Sequence, residues 1–102
     1  MNILITAATS ASAHKLKNKL QAWEILLGDY ADLPDFMVKN MGLLRLPNPA
    51  SASYQHEMLT LCLDKGIEAI YALTGEELNL LQQSELLFNE YNIALFDGQA
   101  YL

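Results

Sequence analysis

The chain has 102 residues, of which 52% are hydrophobic and 18% are charged, a balance typical of a folded globular domain rather than a disordered chain. Twelve acidic and six basic side chains give a formal net charge of −6, which repels phosphate backbones and anionic lipids, so we expect neither nucleic acid nor a membrane as a partner. At this length we expect one domain over residues 1–102.

The only cysteine, Cys62, excludes an internal disulfide and a cysteine-based metal cluster. The N-terminal residues do not have the pattern of a secretory signal, and no apolar run reaches the roughly 20 residues of a membrane span. Free thiols are typical of reducing compartments. We therefore expect a cytoplasmic protein.

Short apolar runs in the first half of the chain predict buried strands, and the amphipathic stretch between the first two predicts a helix. The first predicted strand is at residues 3–6, and the helix that follows starts at Ser12 and buries Ala13, Leu16 and Leu20. A second strand is predicted at residues 25–27. A turn-rich connection over residues 31–40, with room for one helical turn, then leads to a third strand at residues 43–46.

The second half continues the alternation. Tyr54, Met58 and Cys62 share one helical face, with Ser51 or Ser53 as the candidate N-cap and the glycine of "DKG" at the helix end. "IEAIYAL" then predicts a strand, "TGEE" the start of a third helix, and residues 93–96 a fifth strand.

This order of elements favours a mostly parallel sheet covered by helices on both faces, with right-handed crossovers. The sequence therefore predicts an α/β fold, a three-layer Rossmann-like domain with a mostly parallel five-stranded sheet.

The turn after the first strand is the first candidate site. Thr6, Thr9, Ser10 and Ser12 supply hydroxyls next to a helix N-terminus, a combination that suits an anion. The turn has no glycine, and glycines are what let a backbone approach a dinucleotide pyrophosphate. A single phosphate or carboxylate remains one interpretation, and helix capping is the more economical one.

Carboxylates follow two other predicted strands. Asp29 lies where dinucleotide-binding domains place a ribose-binding carboxylate, although an exposed turn aspartate is the simpler interpretation. Thr74 and Glu77 match a capping box, in which the Glu77 side chain reaches back to the amide of the cap residue. Together with Glu76 they also place two carboxylates at the expected ligand-binding edge.

Other reactive side chains carry no functional pattern. His14 and His56 lack a second histidine at ligand spacing, and Cys62 lies among apolar residues, so we expect no metal site and no catalytic residue. We interpret Trp23 and Tyr54 as packing residues.

Two loose motifs resemble the N-terminal pre-ATP-grasp domain of ATP-grasp ligases, nearest to carbamoyl-phosphate synthase large-subunit-like members. The first is the "LPNP" stretch that ends the long connection. The second is "GIEAIYALTGEELNLL", and the similarity extends over nearly the whole chain. The matching positions are Leu46, Pro47, Pro49, Gly66, Ile67, Leu73, Thr74, Glu76, Glu77, Leu78 and Leu81.

The resemblance implies a domain that packs beside an ATP-grasp module, in cis or in trans, and helps shape the substrate side of its active site. In usual members this domain does not bind ATP, so we expect no cofactor on this chain, with ATP and magnesium held by the ATP-grasp module. That module would follow Leu102. The glycine-free "TAATSASA" departs from the family's first turn.

Two functional hypotheses follow. The first is a non-catalytic domain of a larger ATP-dependent ligase. The second is a standalone module that binds a small anion or metabolite at the edge formed by residues 6–12 and 74–77. An acidic domain built to dock can expose an apolar face, so a homo-oligomer is also an expectation.

Overall fold

The computed structural model describes residues 2–20 and 24–102, so the prediction that Trp23 is a packing residue lies outside the described residues. The elements in chain order are β1 (Asn2–Ile5), α1 (Ala11–Lys19), β2 (Glu24–Asp29), α2 (Asp35–Met41), β3 (Leu44–Arg45), α3 (Tyr54–Lys65), β4 (Ala69–Ala72), α4 (Gly75–Gln82), α5 (Glu85–Glu90), β5 (Ala94–Asp97) and a 3₁₀-helix, η1 (Gly98–Tyr101).

In the described part of the chain, five strands form one sheet in the order β3-β2-β1-β4-β5, and every neighbouring pair is parallel. Ile3 pairs with Ile25 of β2 on one side and with Ala69 of β4 on the other, so β1 lies at the centre. The predicted three-layer Rossmann-like α/β fold is confirmed, and the sheet is parallel throughout these pairs.

Two hydrophobic cores lie on opposite faces of this sheet. Ile3 and Ile5 of β1 point into the core that also contains Leu16 of α1, whereas Leu4 points into the core that contains Met58 of α3 and Phe88 of α5. This alternation along one strand follows from the two-residue period of β structure. Helices α1 and α2 therefore cover one face, and α3, α4 and α5 cover the other.

Local capping explains where the main helices begin and end. The Ser10 side chain accepts a hydrogen bond from the amide of Ala13, and the Thr74 side chain accepts one from the amide of Glu77. Gly66 ends α3 with a φ of 65°, a left-handed conformation that glycine adopts without strain. Ser53 occupies the N-cap position of α3, one of the two predicted alternatives, but its side chain makes no cap hydrogen bond.

Three details differ from the prediction. Residues 31–40 contain most of a genuine helix, α2, which starts after Pro34 and ends at the left-handed Gly42. The single predicted third helix is two helices, α4 and α5, because the chain turns at Ser84, a residue type that favours helix starts over helix interiors. The predicted strands are displaced by one or two residues at their ends.

None of the helices among the described residues has both the length and the apolar character needed to cross a bilayer.

Candidate functional site

The crevice at the carboxyl edge of the sheet lies between the ends of β1 and β4. The connection after β1 leads by α1 to β2 on one side, and the connection after β4 leads by α4 and α5 to β5 on the other. Ligands of open parallel sheets bind where the strand order reverses in this way. The predicted site residues can therefore be followed around this edge.

Thr6 closes the middle of the crevice. Its side chain is fully buried, and its hydroxyl accepts a hydrogen bond of 2.9 Å from the amide of Leu73, at the end of β4. Its own amide donates to the carbonyl of Tyr71 at 3.1 Å. Thr6 thus ties the two central strand ends together and is not presented to solvent as a ligand.

The opening turn is held by its own hydroxyls. Ala7 has a positive φ of 54°, so the turn adopts a left-handed conformation without a glycine. The Ser10 hydroxyl donates to the carbonyl of Ala7 at 2.7 Å and accepts from the amide of Ala13 at 3.3 Å. The amide of Ala8 donates to the carbonyl of Gly28 at 3.0 Å. The Ser10 hydroxyl thus acts as the N-cap of α1, as the helix-capping interpretation of this turn predicts.

Asp29 fixes this turn from the neighbouring strand. Its Oδ2 atom accepts from the amide of Thr9 at 3.1 Å and from the Thr9 hydroxyl at 2.7 Å, and its Oδ1 atom accepts from the amide of Ala31 at 3.0 Å. Burial raises the pKa of Asp29, but these hydrogen bonds to the carboxylate outweigh it and leave the pKa below its ordinary value of 3.8. The ionised Asp29 carboxylate therefore links the end of β2 to the turn after β1. Asp29 is buried, whereas an ordinary turn aspartate would be exposed.

The residues after β4 form a second buried network. Glu77 is fully buried, and its two carboxyl oxygens accept from the Tyr54 hydroxyl at 2.9 Å and from the Thr74 hydroxyl at 3.2 Å. The predicted capping box is thus half formed: Thr74 caps α4, but Glu77 bonds the hydroxyl of the cap residue. Glu77 does not reach the amide of Thr74 because its carboxyl group is bonded to the buried Tyr54 hydroxyl in the core.

Desolvation dominates the protonation of this network. It raises the pKa of Glu77, the charges of Asp29 and Glu76 add to the effect, and the two hydroxyl hydrogen bonds oppose it only in part. Burial and the adjacent Glu77 likewise raise the pKa of Tyr54. Both shifts favour the protonated forms of Glu77 and Tyr54, and neither group faces solvent where a substrate would lie.

The remaining candidates do not join these networks. Ser12 is partly buried in the first turn of α1, and Glu76 is exposed in the first turn of α4. His14 and His56 are exposed on α1 and α3. Cys62 is fully buried, and desolvation raises the pKa of its thiol to about 12.

Sequence reasoning missed an open cavity of about 430 Å³ beside the ends of β2 and β3. Its lining is Asp29, Tyr30, Ala31, Asp32, Arg45, Leu46 and Asn48. Arg45 donates to the carbonyl of Leu33 at 2.9 Å and to Asp35 at 2.7 Å, so its charge is partly neutralised. The signal was available, because Arg45 is the one lysine or arginine between Lys39 and Lys65 and lies within the predicted strand at residues 43–46.

Within residues 2–20 and 24–102, no three histidine, cysteine, aspartate or glutamate side chains come together as a metal site. No protein-family model matches the chain, and no curated protein matches it. The kinship with ATP-grasp ligases stays a prediction from the motifs.

Proposed function

We propose that this chain is a non-catalytic domain of the pre-ATP-grasp type, which packs beside an ATP-grasp module and helps shape the substrate side of that module's active site. The support is the order β3-β2-β1-β4-β5 together with the "LPNP" and "GIEAIYALTGEELNLL" stretches. A parallel sheet with a closed central crevice suits a domain that presents fixed loops to a neighbour.

One observation carries this proposal: the polar side chains at the centre of the carboxyl edge are hydrogen-bonded within the fold. Thr6 is bonded to β4, Thr9 to Asp29, and Glu77 to both Tyr54 and Thr74. A catalytic group must reach the substrate and exchange a proton or an electron pair with it. Groups whose bonding is satisfied inside the fold instead hold loops in one shape.

The test reconstitutes ligase activity. The chain is expressed with the ATP-grasp module encoded in frame with it or beside it, and ADP formation is measured with and without the domain. We expect the domain alone to form no ADP, and the module alone to lose activity by on the order of 10²-fold, since misplacing a substrate by about 1 Å has an effect of that size. A gene that stops after Leu102 with no ATP-grasp module nearby would contradict the proposal, as would ADP formation by the domain alone.

The cavity beside Arg45 favours a second candidate function, the binding of a small metabolite. Its volume lies within the range of small-molecule pockets. Asp29 and Asp32 contribute two carboxylates, and Arg45 already pairs with Asp35, so the lining suits a neutral or cationic ligand with hydroxyl or amine donors better than an anion. Tyr30 and Leu46 offer an apolar surface to the rest of such a ligand.

A thermal-shift screen with nucleosides, polyols, amino acids and inorganic phosphate tests this candidate. A ligand present at about 100 times its dissociation constant adds roughly 2.7 kcal/mol to the free energy of unfolding. We expect Asp32→Asn to remove the shift and Ser12→Glu, at the opening turn, to leave it. The opposite pattern would move the site to the turn, and no shift with any compound would remove the support for binding.

A further inference from the structure

The net negative charge of this protein comes from one part of the chain. Residues 66–102 contain six acidic side chains and no lysine or arginine, whereas residues 1–65 contain six of each. Of those six acidic residues, Glu77 is buried and the other five are exposed. The whole net charge therefore comes from residues 66–102, the segment that contains β4, α4, α5, β5 and η1, and no lysine or arginine in this segment offsets it.

Helix α5 adds large exposed apolar side chains to this acidic region. Leu86 is 81% exposed, and Leu87 and the following Tyr91 are 39% and 50% exposed. Single exposed apolar residues are ordinary on protein surfaces, but three on one short helix and its end form a patch. We call Leu86, Leu87 and Tyr91, with Glu85 and Glu90, the α5 surface.

The α5 surface is anchored to the core through Phe88. Phe88 is fully buried in the core beneath the helix, its amide donates to the carbonyl of Ser84 at 3.1 Å, and its carbonyl accepts from the amides of Tyr91 and Ile93 at 3.0 Å each. At about 100° per residue, Leu86 and Glu90 project almost opposite Phe88. Leu87 and Tyr91 follow on one flank, so Glu90 lies within the apolar arc.

We propose that the α5 surface is a docking site for a basic amphipathic helix of a partner protein, whose apolar side chains cover Leu86, Leu87 and Tyr91 and whose lysine or arginine side chains pair with Glu85 and Glu90. Charge complementarity carries the choice of partner. A carboxylate within an apolar patch is desolvated on docking, and only an opposite charge offsets that cost. The inference concerns a different surface from the carboxyl edge and does not depend on the proposed ligase kinship.

The same charges disfavour a second copy as the occupant. A two-fold contact through α5 would be self-complementary, so it would place Glu85 and Glu90 of one copy near the same residues of the other. Like charges at an interface suppress association. A homo-oligomer of this chain would have to use another surface.

The probe is a fluorescein-labelled synthetic peptide of about 15 residues, long enough to form a helix, with leucine on one face and lysine on the other. Fluorescence anisotropy measures its affinity for the intact chain. We expect binding at low salt that is lost in about 1 M NaCl, where the Debye length is about 3 Å. A peptide of the same composition in scrambled order should bind at least about tenfold more weakly, since it cannot present one apolar face.

Variants locate the binding surface. Leu86→Ser should weaken binding about tenfold, as expected for a central apolar contact. Met41→Ser is the matched control, because Met41 is 57% exposed on α2, across the sheet, and this change should leave the affinity unaltered. In the double variant Glu85→Lys and Glu90→Lys, binding should switch to a leucine and glutamate peptide of the same pattern.

Several results would overturn the proposal. These are equal binding of the scrambled peptide, equal effects of Leu86→Ser and Met41→Ser, and undiminished binding of the lysine peptide by the charge-reversed variant. A dimer in sedimentation experiments that Leu86→Ser dissociates would assign the α5 surface to a second copy instead.

Discussion

At the scale of single residues, Glu77 is the most informative side chain. A fully buried carboxyl group with a raised pKa favours the neutral form in the folded state. Its contribution to stability is complete below its ordinary pKa of 4.5 and is lost as the pH rises through the raised value. Asp29 acts in the opposite sense: its lowered pKa gives stability above 3.8 that is lost as the pH falls through its folded value.

Replacing Glu77 tests this account of its ionisation. We expect Glu77→Gln to keep an acceptor oxygen for the Tyr54 hydroxyl and to remove the decline in the free energy of unfolding above pH 4.5. Glu77→Ala should cost about 1–3 kcal/mol even at low pH, because it leaves the buried Tyr54 hydroxyl without its acceptor. Urea unfolding at a series of pH values measures both. A wild-type profile parallel to that of Glu77→Gln would contradict this assignment.

The bond between Thr9 and Asp29 gives a second prediction at this scale. Thr9→Val removes the hydroxyl that donates to Oδ2 at 2.7 Å, and we expect it to lower the free energy of unfolding by about 1–2 kcal/mol. It should also raise the pKa of Asp29, so that acid unfolding begins at a higher pH. Thr9→Ser retains a hydroxyl and serves as the control. If the Thr9→Val and Thr9→Ser variants had equal free energies of unfolding, the Thr9 hydroxyl would not stabilise the turn.

At the scale of elements, the contact between β2 and β3 depends on Gly28. A Cβ atom at this position would lie 2.7 Å from Leu46 Cδ2 and 2.8 Å from Leu46 Cγ. The absence of a side chain thus lets the buried Leu46 pack over the strand. Glycine is needed at position 28 because Leu46 approaches the backbone closely, and not because the backbone turns there.

Two glycine substitutions separate crowding from backbone effects. We expect Gly28→Ala to destabilise the fold by about 1–3 kcal/mol through overpacking. Gly75→Ala, in the first turn of α4, has no described heavy atom within 4 Å of the new Cβ and should stabilise by about 0.4–1 kcal/mol. Thermal and urea unfolding of both variants measures the difference. Equal stabilities would show that Leu46 moves aside freely.

The prediction of elements from sequence succeeded where hydrophobic runs were continuous. Strand β4 is buried at every residue, and its apolar run in "IEAIYAL" is unmistakable. Helix α2 gave a weak signal because none of its residues is fully buried and Met37 and Val38 pack only partly against the core. The break at Ser84 was also missed, since leucines on both sides of it continue a helical pattern.

At the scale of the whole molecule, the sequence located the carboxyl edge but not the contacts across it. Asp29 was placed correctly after the second strand, yet its partner Thr9 is 20 residues away. The Tyr54 hydroxyl meets Glu77 across 23 residues. The first pair depends on how the turn after β1 lies against β2, and the second on how α3 and α4 pack, and periodicity encodes neither. The Arg45 cavity likewise forms only when β3 lies beside β2.

The two cores share the central strand, and this predicts cooperative unfolding. Ile3 and Ile5 serve one core and Leu4 the other, so neither layer of helices can detach without exposing β1. We expect one transition in urea, with coincident curves from far-UV circular dichroism and tyrosine fluorescence. Two separated transitions would indicate that the layers open independently.

Because Cys62 is buried, the rate at which its thiol is labelled reports how often the fold opens around it. A thiol with no solvent exposure and a pKa of about 12 is nearly inert to alkylating reagents while α3 stays packed. Because the sequence contains a single cysteine, each molecule that becomes labelled has exposed its interior at that one position. The labelling rate of native protein would thus count rare excursions from the folded state.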